Sequence, residues 1–372
     1  MWTVENCTAG ILALEAWDLE TGLALAERQV TAARESGALV QLQLALLFLA
    51  NYVVLTGDVA GAVRLMEEER QLSIATRMRA SGHSDALLAA LGGDAALALP
   101  LIDSMRDLAM SDGQGRVVAF SHYLSSVQYN ALGQHEHALE CARCVMDWGV
   151  IGYQTLAAPE LAEAASRQGD AELLADVAAW VSARARATPT DWAVGISALV
   201  NALAADAADD ADGLYRASIE RLRGTPLRFL LARAELLYGE WLRRRGRKRD
   251  ALVQLTAADE AMQEMGLTSF AERARREVSA TTSRRVRKYL DDPTAELTGQ
   301  ELQVARLVHD GLTNREIGVR LYLSPRTVEW HLRNVFGKVG VATRHQLRDT
   351  NLTPYLPNGV HRDGGANVPA RS

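Results

Sequence analysis

Three cysteines among 372 residues, Cys7, Cys141 and Cys144, are too few for a disulfide framework. Cys141 and Cys144 form a CxxC, but it falls on a helical pattern with no second pair, so it reads as two structural thiols rather than a metal or redox site. Proline is rare, at nine residues, and β-branched runs are short. That argues against sheet. No long membrane-type run exists either: the most apolar window, Leu39 to Leu55, is interrupted by Gln41, Gln43 and Asn51 and reads as a buried helix. The opening Met1-Trp2-Thr3-Val4-Glu5-Asn6 lacks the basic segment and apolar core of a secretory signal, so a cytoplasmic chain is expected. HExxH, GxSxG and P-loop patterns are missing, and the eight histidines form no ligand spacing. Neither catalysis, a metal nor a cofactor is expected.

What the chain does have is Ala and Leu throughout residues 11–280, which favours helix, and 48% apolar residues to build a core. The net charge of −6 hides a division. Residues 1–283 hold 26 basic and 37 acidic residues, whereas 284–351 hold twelve and eight. An acidic body thus precedes a basic head, and only the head suits a phosphate surface.

The first 280 residues carry a faint period. Gly22, Gly57, Gly93, Gly133, Gly169, Gly213 and Gly246 are spaced by 35, 36, 40, 36, 44 and 33 residues, each read as a turn between helices. Gly57, Gly133 and Gly246 are followed five positions later by Ala62, Ala138 and Ala251, small residues that let the next helix pack closely. Two helices per unit of 34 to 40 residues predict a tetratricopeptide-like solenoid over residues 1–280, with a long concave surface. Residues 281–296, with Arg284, Arg285, Arg287, Lys288 and Pro293, read as a linker. The Pro- and Gly-rich residues 352–372 read as a disordered tail.

Between them, residues 297–351 punctuate themselves into four short helices. Thr298 with Glu301, and Thr313 with Glu316, are capping boxes. Ser324 before Pro325 is an N-cap with proline at the first helical position. Gly311 suits a helix end. The apolar stripes are Leu302, Ala305, Leu307 and Val308; Ile317, Val319 and Leu321; then Val328, Leu332, Val335 and Val339. The second and third helices, separated by four residues, make a helix-turn-helix whose recognition helix opens at Ser324. The outward arc of that helix is Arg326, Glu329, Trp330 and Arg333.

This stretch resembles the C-terminal DNA-binding domain of LuxR-type bacterial transcription regulators. The pattern is carried by Leu297-Thr298, Glu301, Gly311-Leu312-Thr313-Asn314, Glu316-Ile317, Ser324, Thr327-Val328, His331, Lys338, Gly340-Val341 and Arg344. Trp330 and Gly337 are mild departures. A second resemblance, from about Tyr129 through Asp191-Trp192-Ala193, Leu237 to Arg244 and Phe270 to Glu277, is to the C-terminal half of large ATP-binding LuxR-type regulators. Those carry a P-loop ATPase domain ahead of their repeats. Here the only Gly-Lys, Gly337-Lys338, is followed by Val339. The chain is therefore either a short member or a piece of a longer one.

The resemblance implies an all-α protein, a helical solenoid followed by a four-helix DNA-binding domain, acting as a promoter-binding regulator. Glu329, Trp330 and Arg333 would face bases, with Arg326 beside them. Thr313, Asn314, Arg315, Ser324, Thr327, His331 and Lys338 would meet phosphate. The last helix would pair two heads into a homodimer through Val341, Ala342, Gln346 and Leu347. The solenoid would answer to RNA polymerase, another protein or a small effector. A scaffold in which the solenoid acts and the head assists is the alternative.

Overall fold

The computed structural model describes residues 2–77, 83–92, 95–205, 208–282, 297–321, 323–339, 341 and 343–349. The basic run at Arg284 to Lys288, most of the expected linker and the expected tail lie outside the described residues. The chain divides into two units, Met1–Thr281 and Thr282–Ser372, and every element among the described residues is an α-helix. In the first unit α1 is Trp2–Glu15, α2 Leu19–Glu35, α3 Leu39–Leu55, α4 Val59–Thr76 and α5 His83–Gly92. There follow α6 Ala95–Ser111, α7 Gly115–Leu132, α8 His135–Asp147, α9 Gln154–Gln168 and α10 Ala171–Ala187. The unit closes with α11 Asp191–Ala204, α12 Ala208–Arg223, α13 Arg228–Arg244, α14 Lys248–Glu264 and α15 Thr268–Thr281.

Local chemistry sets the turns. Trp17, Gly37, Gly57 and Arg77 take positive φ at intervals of 20 residues, and the pairs Gly113/Gly133 and Gly246/Gly266 repeat that interval. After such a residue the next amide reaches back to close the helix. Asp18 N–H donates to the Ala13 carbonyl at 2.8 Å, Gln134 to Tyr129 at 2.8 Å and Arg247 to Leu242 at 3.0 Å. Asp18, Asp58 and Asp170 then cap the following helix, accepting from the N–H groups of Thr21, Gly61 and Leu173 at 3.0, 2.7 and 3.1 Å. One helix with its turn therefore occupies about 20 residues, so a hairpin takes about 40.

The glycine period read in the sequence sampled alternate turns, and two of its members are not turns at all. Gly213 lies inside α12, and Gly22 lies inside α2. A Cβ at Gly22 would overlap the ring of Tyr52, whose hydroxyl donates to the Gly10 carbonyl at 2.6 Å. Gly93 lies outside the described residues. The three alanines after the turn glycines, Ala62, Ala138 and Ala251, are fully buried, as close packing of the second helix requires.

Each helix packs against the next, and odd-numbered helices also pack against odd-numbered ones, which sorts the unit into two layers. Even helices are outer and bury one stripe, such as Ala26, Val30 and Ala33 in α2 or Ala138, Ala142 and Val145 in α8. Inner helices are covered more widely: α13 buries consecutive residues from Ala232 to Glu240. No helix among the described residues is long and apolar enough to cross a membrane. The apolar window Leu39–Leu55 is α3, and its Gln43 is buried, bonded to Glu69 Oε1 at 2.8 Å and Ser73 Oγ at 2.6 Å.

The expected open concave surface is corrected by contacts across the bore. α3 meets α13, α15 meets both α5 and α7, and α1 meets α9. Buried charge fills one end of that closure. Arg233 on α13 pairs with Glu160 of α9 at 3.1 Å and with Glu163 of α9. Arg273 on α15 bonds Glu163 at 2.6 Å, Glu240 of α13 at 2.8 Å and the Asn130 carbonyl of α7 at 2.9 Å. Arg167 of α9 pairs with Glu240. Three acids thus meet three arginines, and the charge cancels. Burial pushes the Glu163 carboxyl up, but the Arg273, Arg233 and Arg167 guanidiniums hold it well below the usual range. Glu240 is likewise raised by burial and lowered further by Arg273 and Arg167.

A carboxylate whose pKa is depressed on folding stabilises the fold above its unfolded value, near about 4.3, and the contribution fades as pH falls toward the depressed value. In urea melts followed by circular dichroism, the full chain should lose stability steadily below about pH 4.3. Glu163→Gln should cost about 3–5 kcal/mol near neutrality, because it takes one carboxylate from each of two buried guanidiniums and leaves the network with an uncompensated positive charge, and should flatten that acid limb. A wild-type acid limb in the variant would show that the network does not hold the unit together.

Candidate nucleic-acid interface

In the second unit α16 is Gly299–His309, α17 Asn314–Leu321, α18 Pro325–Val339 and α19 Arg344–Asp349. Each start is chemically set. Glu301 N–H donates to Thr298 Oγ1 at 3.3 Å while Thr298 N–H donates to Glu301 Oε2 at 2.8 Å. Thr313 N–H donates to Glu316 Oε2 at 2.7 Å, and that bond draws the Glu316 carboxyl below its ordinary pKa. Thr327 N–H donates to Ser324 Oγ at 3.1 Å. Thr343 and Gln346 repeat the reciprocal arrangement at α19, both bonds at 3.2 Å. Gly311, at φ +90°, ends α16, and Leu312 N–H closes it on the Leu307 carbonyl at 3.0 Å.

The core of this unit is Val304, Ala305, Val308, Ile317, Val328, Leu332, Val335, Val339 and Leu347. The turn between α17 and α18 lies directly on Gly318. A Cβ there would stand 2.6 Å from the Leu323 carbonyl oxygen, and Leu323 N–H donates to the Gly318 carbonyl at 2.8 Å. Glycine at 318 is therefore what permits so short a turn. Sequence reading missed it; the available signal was a glycine within a helix six residues before the next N-cap, Ser324.

Two ion contacts lock the helices. Lys338 Nζ donates to both oxygens of Glu301, at 2.9 and 2.6 Å, joining the end of α18 to the start of α16. Burial raises the Glu301 pKa, but the bonds from Lys338 and Thr298 carry it below the usual carboxylate range. Arg344 donates to Asn314 Oδ1 at 2.7 Å and to the Leu312 carbonyl, joining α19 to the α16–α17 turn.

With the core inward, one face of α18 is free. Arg326, Glu329, Trp330 and Arg333 are all exposed, Trp330 to 60%. Arg333 and Glu329 approach to 3.5 Å across one turn. Thr313, Arg315 and Ser324 are exposed at the starts of α17 and α18, and Thr327 is half-buried.

Several expected roles need correction. His331 is buried, not presented to phosphate, because it follows Val328 by three residues and shares its inward face. Its Nδ1 has no hydrogen-bond partner among the described residues, and its ring meets Trp330 edge-on at 4.9 Å. Lys338 is spent on Glu301, and Asn314 on Arg344. Leu347 is fully buried in the core and offers nothing to a second head. Val341 packs half-buried against the same core, the Ala342 position lies outside the described residues, and Gln346 is exposed. Val319 was placed in an apolar stripe with Ile317, yet it is 75% exposed. Two residues turn a helix by about 200°, so the pair cannot share a face.

Comparison with known proteins agrees with this geometry. Residues 295–350 match the family described as bacterial regulatory proteins, luxR family. A protein of Mycobacterium bovis, provisionally named an HTH-type transcriptional regulator, is 53% identical over 53 residues, 14% of this chain and 6% of that protein. The nitrate/nitrite response regulator protein homolog of Haemophilus influenzae is 38% identical over 58 residues, 16% of this chain and 28% of its own. The transcriptional regulatory protein LiaR of Bacillus subtilis is 39% identical over 54 residues, 14% of this chain and 26% of its own. The chain thus matches only a small part of each relative's length. The C-terminal unit carries a LuxR-family helix-turn-helix domain.

Gly318→Ala should destabilise the second unit by about 1–3 kcal/mol, since the new methyl must displace backbone. Lys338→Met should lower the melting midpoint of the same unit, read from amide exchange in α16 and α18 of the full chain. Unchanged exchange in both variants would contradict the locking roles of residues 318 and 338.

Proposed function

We propose that the chain is a sequence-specific transcription regulator whose α18 enters the major groove of a promoter duplex. The observation that carries this reading is the division of α18 into two faces. Val328, Leu332, Val335 and Val339 are buried, while Arg326, Glu329, Trp330 and Arg333 project from the second helix of a helix-turn-helix. Arg333 offers paired donors suited to guanine O6 and N7, and Glu329 accepts from cytosine N4. Their 3.5 Å approach lets each orient the other. The Trp330 ring suits a thymine methyl, and Arg326 lies in the first turn of the helix.

Phosphates are met by Arg315, Thr313, Ser324 and Thr327, where helix N-termini add oriented N–H groups. Asn314 joins them only if it leaves Arg344. Two heads pair as a homodimer around α19 through Gln346 and the exposed edge of Val341, doubling a short reading surface to match paired half-sites. The helical unit, residues 1–280 in this reading, serves as the arm that answers to an effector, to RNA polymerase or to another protein. Residues 297–351 serve as the reader.

Fluorescence anisotropy on a duplex enriched from a random pool tests the assignment. Arg333→Ala should weaken specific binding by about 1–3 kcal/mol and relax preference at one base pair. Arg315→Ala should weaken all duplexes alike and lower the salt slope by about 0.9. Unaltered affinity and preference in Arg333→Ala would refute the placement of α18 in the groove.

A further inference from the structure

The closure of the first unit leaves a space in its bore. Every wall of it comes from the inner layer: Gly10 on α1, Phe48 and Tyr52 on α3, Leu87 on α5, Phe120 on α7 and Phe229 on α13. The space enclosed between these side chains is about 60 Å³, within an envelope of about 730 Å³ that takes in the open mouth. The walls are overwhelmingly apolar and aromatic. Gly10 shows that the space is real at the level of one residue. It is buried and faces this cavity, yet a Cβ built on it meets no atom within 4 Å.

The polar groups on the wall are few. Among the described residues no Asp or Glu lines the cavity, and Arg116 is the one charged liner. The Arg116 guanidinium is exposed, stands 4.8 Å over the Tyr153 ring and donates to the Ile151 carbonyl at 3.0 Å. It has no carboxylate partner among the described residues. Asn51, Tyr123 and Tyr153 are also on the wall. A cation at the rim and an aromatic interior select a ligand with an aromatic body and one anionic head.

We propose that this cavity binds a small aromatic carboxylate, its ring among Phe48, Phe120 and Phe229 and its carboxylate on Arg116. The inference rests on the reading of the helical unit as an effector-responsive arm and gives that effector a chemical class. It also names what binding would tighten. α1 covers the cavity and is seated by Tyr52 on Gly10, by Glu15 on the Gly152 N–H at 2.8 Å and by Glu15 on Arg184 at 2.6 Å. An occupant would therefore join α1, α3, α7 and α9, elements brought together only by closure of the solenoid.

The test is isothermal titration calorimetry on the full chain without DNA, using benzoate, 2-naphthoate and the neutral 2-naphthamide. At least one of the two acids should bind at a single saturable site. The amide should bind about tenfold more weakly than 2-naphthoate, and Arg116→Gln should erase that difference. Gly10→Leu should abolish binding while keeping the helical circular dichroism, because its side chain enters the void, where a Cβ meets no atom within 4 Å. Arg116→Gln, at an exposed position, keeps the test open should Gly10→Leu fold poorly. Heats absent for both acids, or equal binding by Gly10→Leu, would overturn the proposal. So would an acid-over-amide preference that survives Arg116→Gln. Because no DNA is present, such a failure leaves the groove-reading assignment standing, and a failure of that assignment leaves the cavity standing.

Discussion

The buried meeting of Glu160, Glu163 and Glu240 with Arg167, Arg233 and Arg273 is the constraint on which the first unit depends. Helical hairpins stacked by nearest-neighbour contacts alone can open or curl with little penalty. Five buried charges and the half-buried Arg167 cannot: each arginine left without its acids would carry a desolvation cost that no local rearrangement offsets. The network therefore selects one closure among the many a helical stack allows. Its members lie on α9, α13 and α15, and Arg273 also grips α7 through the Asn130 carbonyl. The closed bore follows, and with it the aromatic cavity and the seat of α1.

The second unit uses the same device at smaller scale. Glu301 completes the cap of α16 and holds Lys338 at the far end of α18, so one carboxylate fixes two helices. Arg344 does the corresponding work for α19. Gly318 lets the turn close over α17. These contacts occupy Lys338 and Asn314, which the sequence assigns to phosphate, and they leave α18 with one face committed and one free. Rigid support behind an exposed arc of Arg, Glu and Trp is what recognition of a rigid duplex demands.

The sequence made some of this plain and hid the rest for physical reasons. Caps and turns are local, so Thr298/Glu301, Thr313/Glu316 and Ser324-Pro325 announced three helices of the second unit, and Leu39 to Leu55 announced α3. Burial of Val328, Leu332 and Val335 followed from their spacing. His331 and Leu347 were misplaced because their motif positions were weighed above the helix face on which they sit. The repeat was legible but its step was not, since Trp17 and Arg77 end helices with positive φ as the glycines do. The charge network was out of reach: Glu160 and Arg233 are 73 positions apart, and Glu163 and Arg273 are 110. A trace existed in Glu160, Glu163 and Arg167, charges set at helical spacing in an alanine-rich stretch, but pairing partners across such distances are fixed only by the closed fold.

The central claim is that α18 reads base edges in the major groove. Methylation interference on a duplex selected by the full chain tests it most directly, because dimethyl sulfate marks guanine N7 in the major groove and adenine N3 in the minor groove. Guanine N7 methylation within each half-site should abolish binding, while adenine N3 methylation at the same base steps should leave it intact. Interference from adenine N3 alone would place the contact in the minor groove and contradict the assignment of Arg333, Glu329 and Trp330.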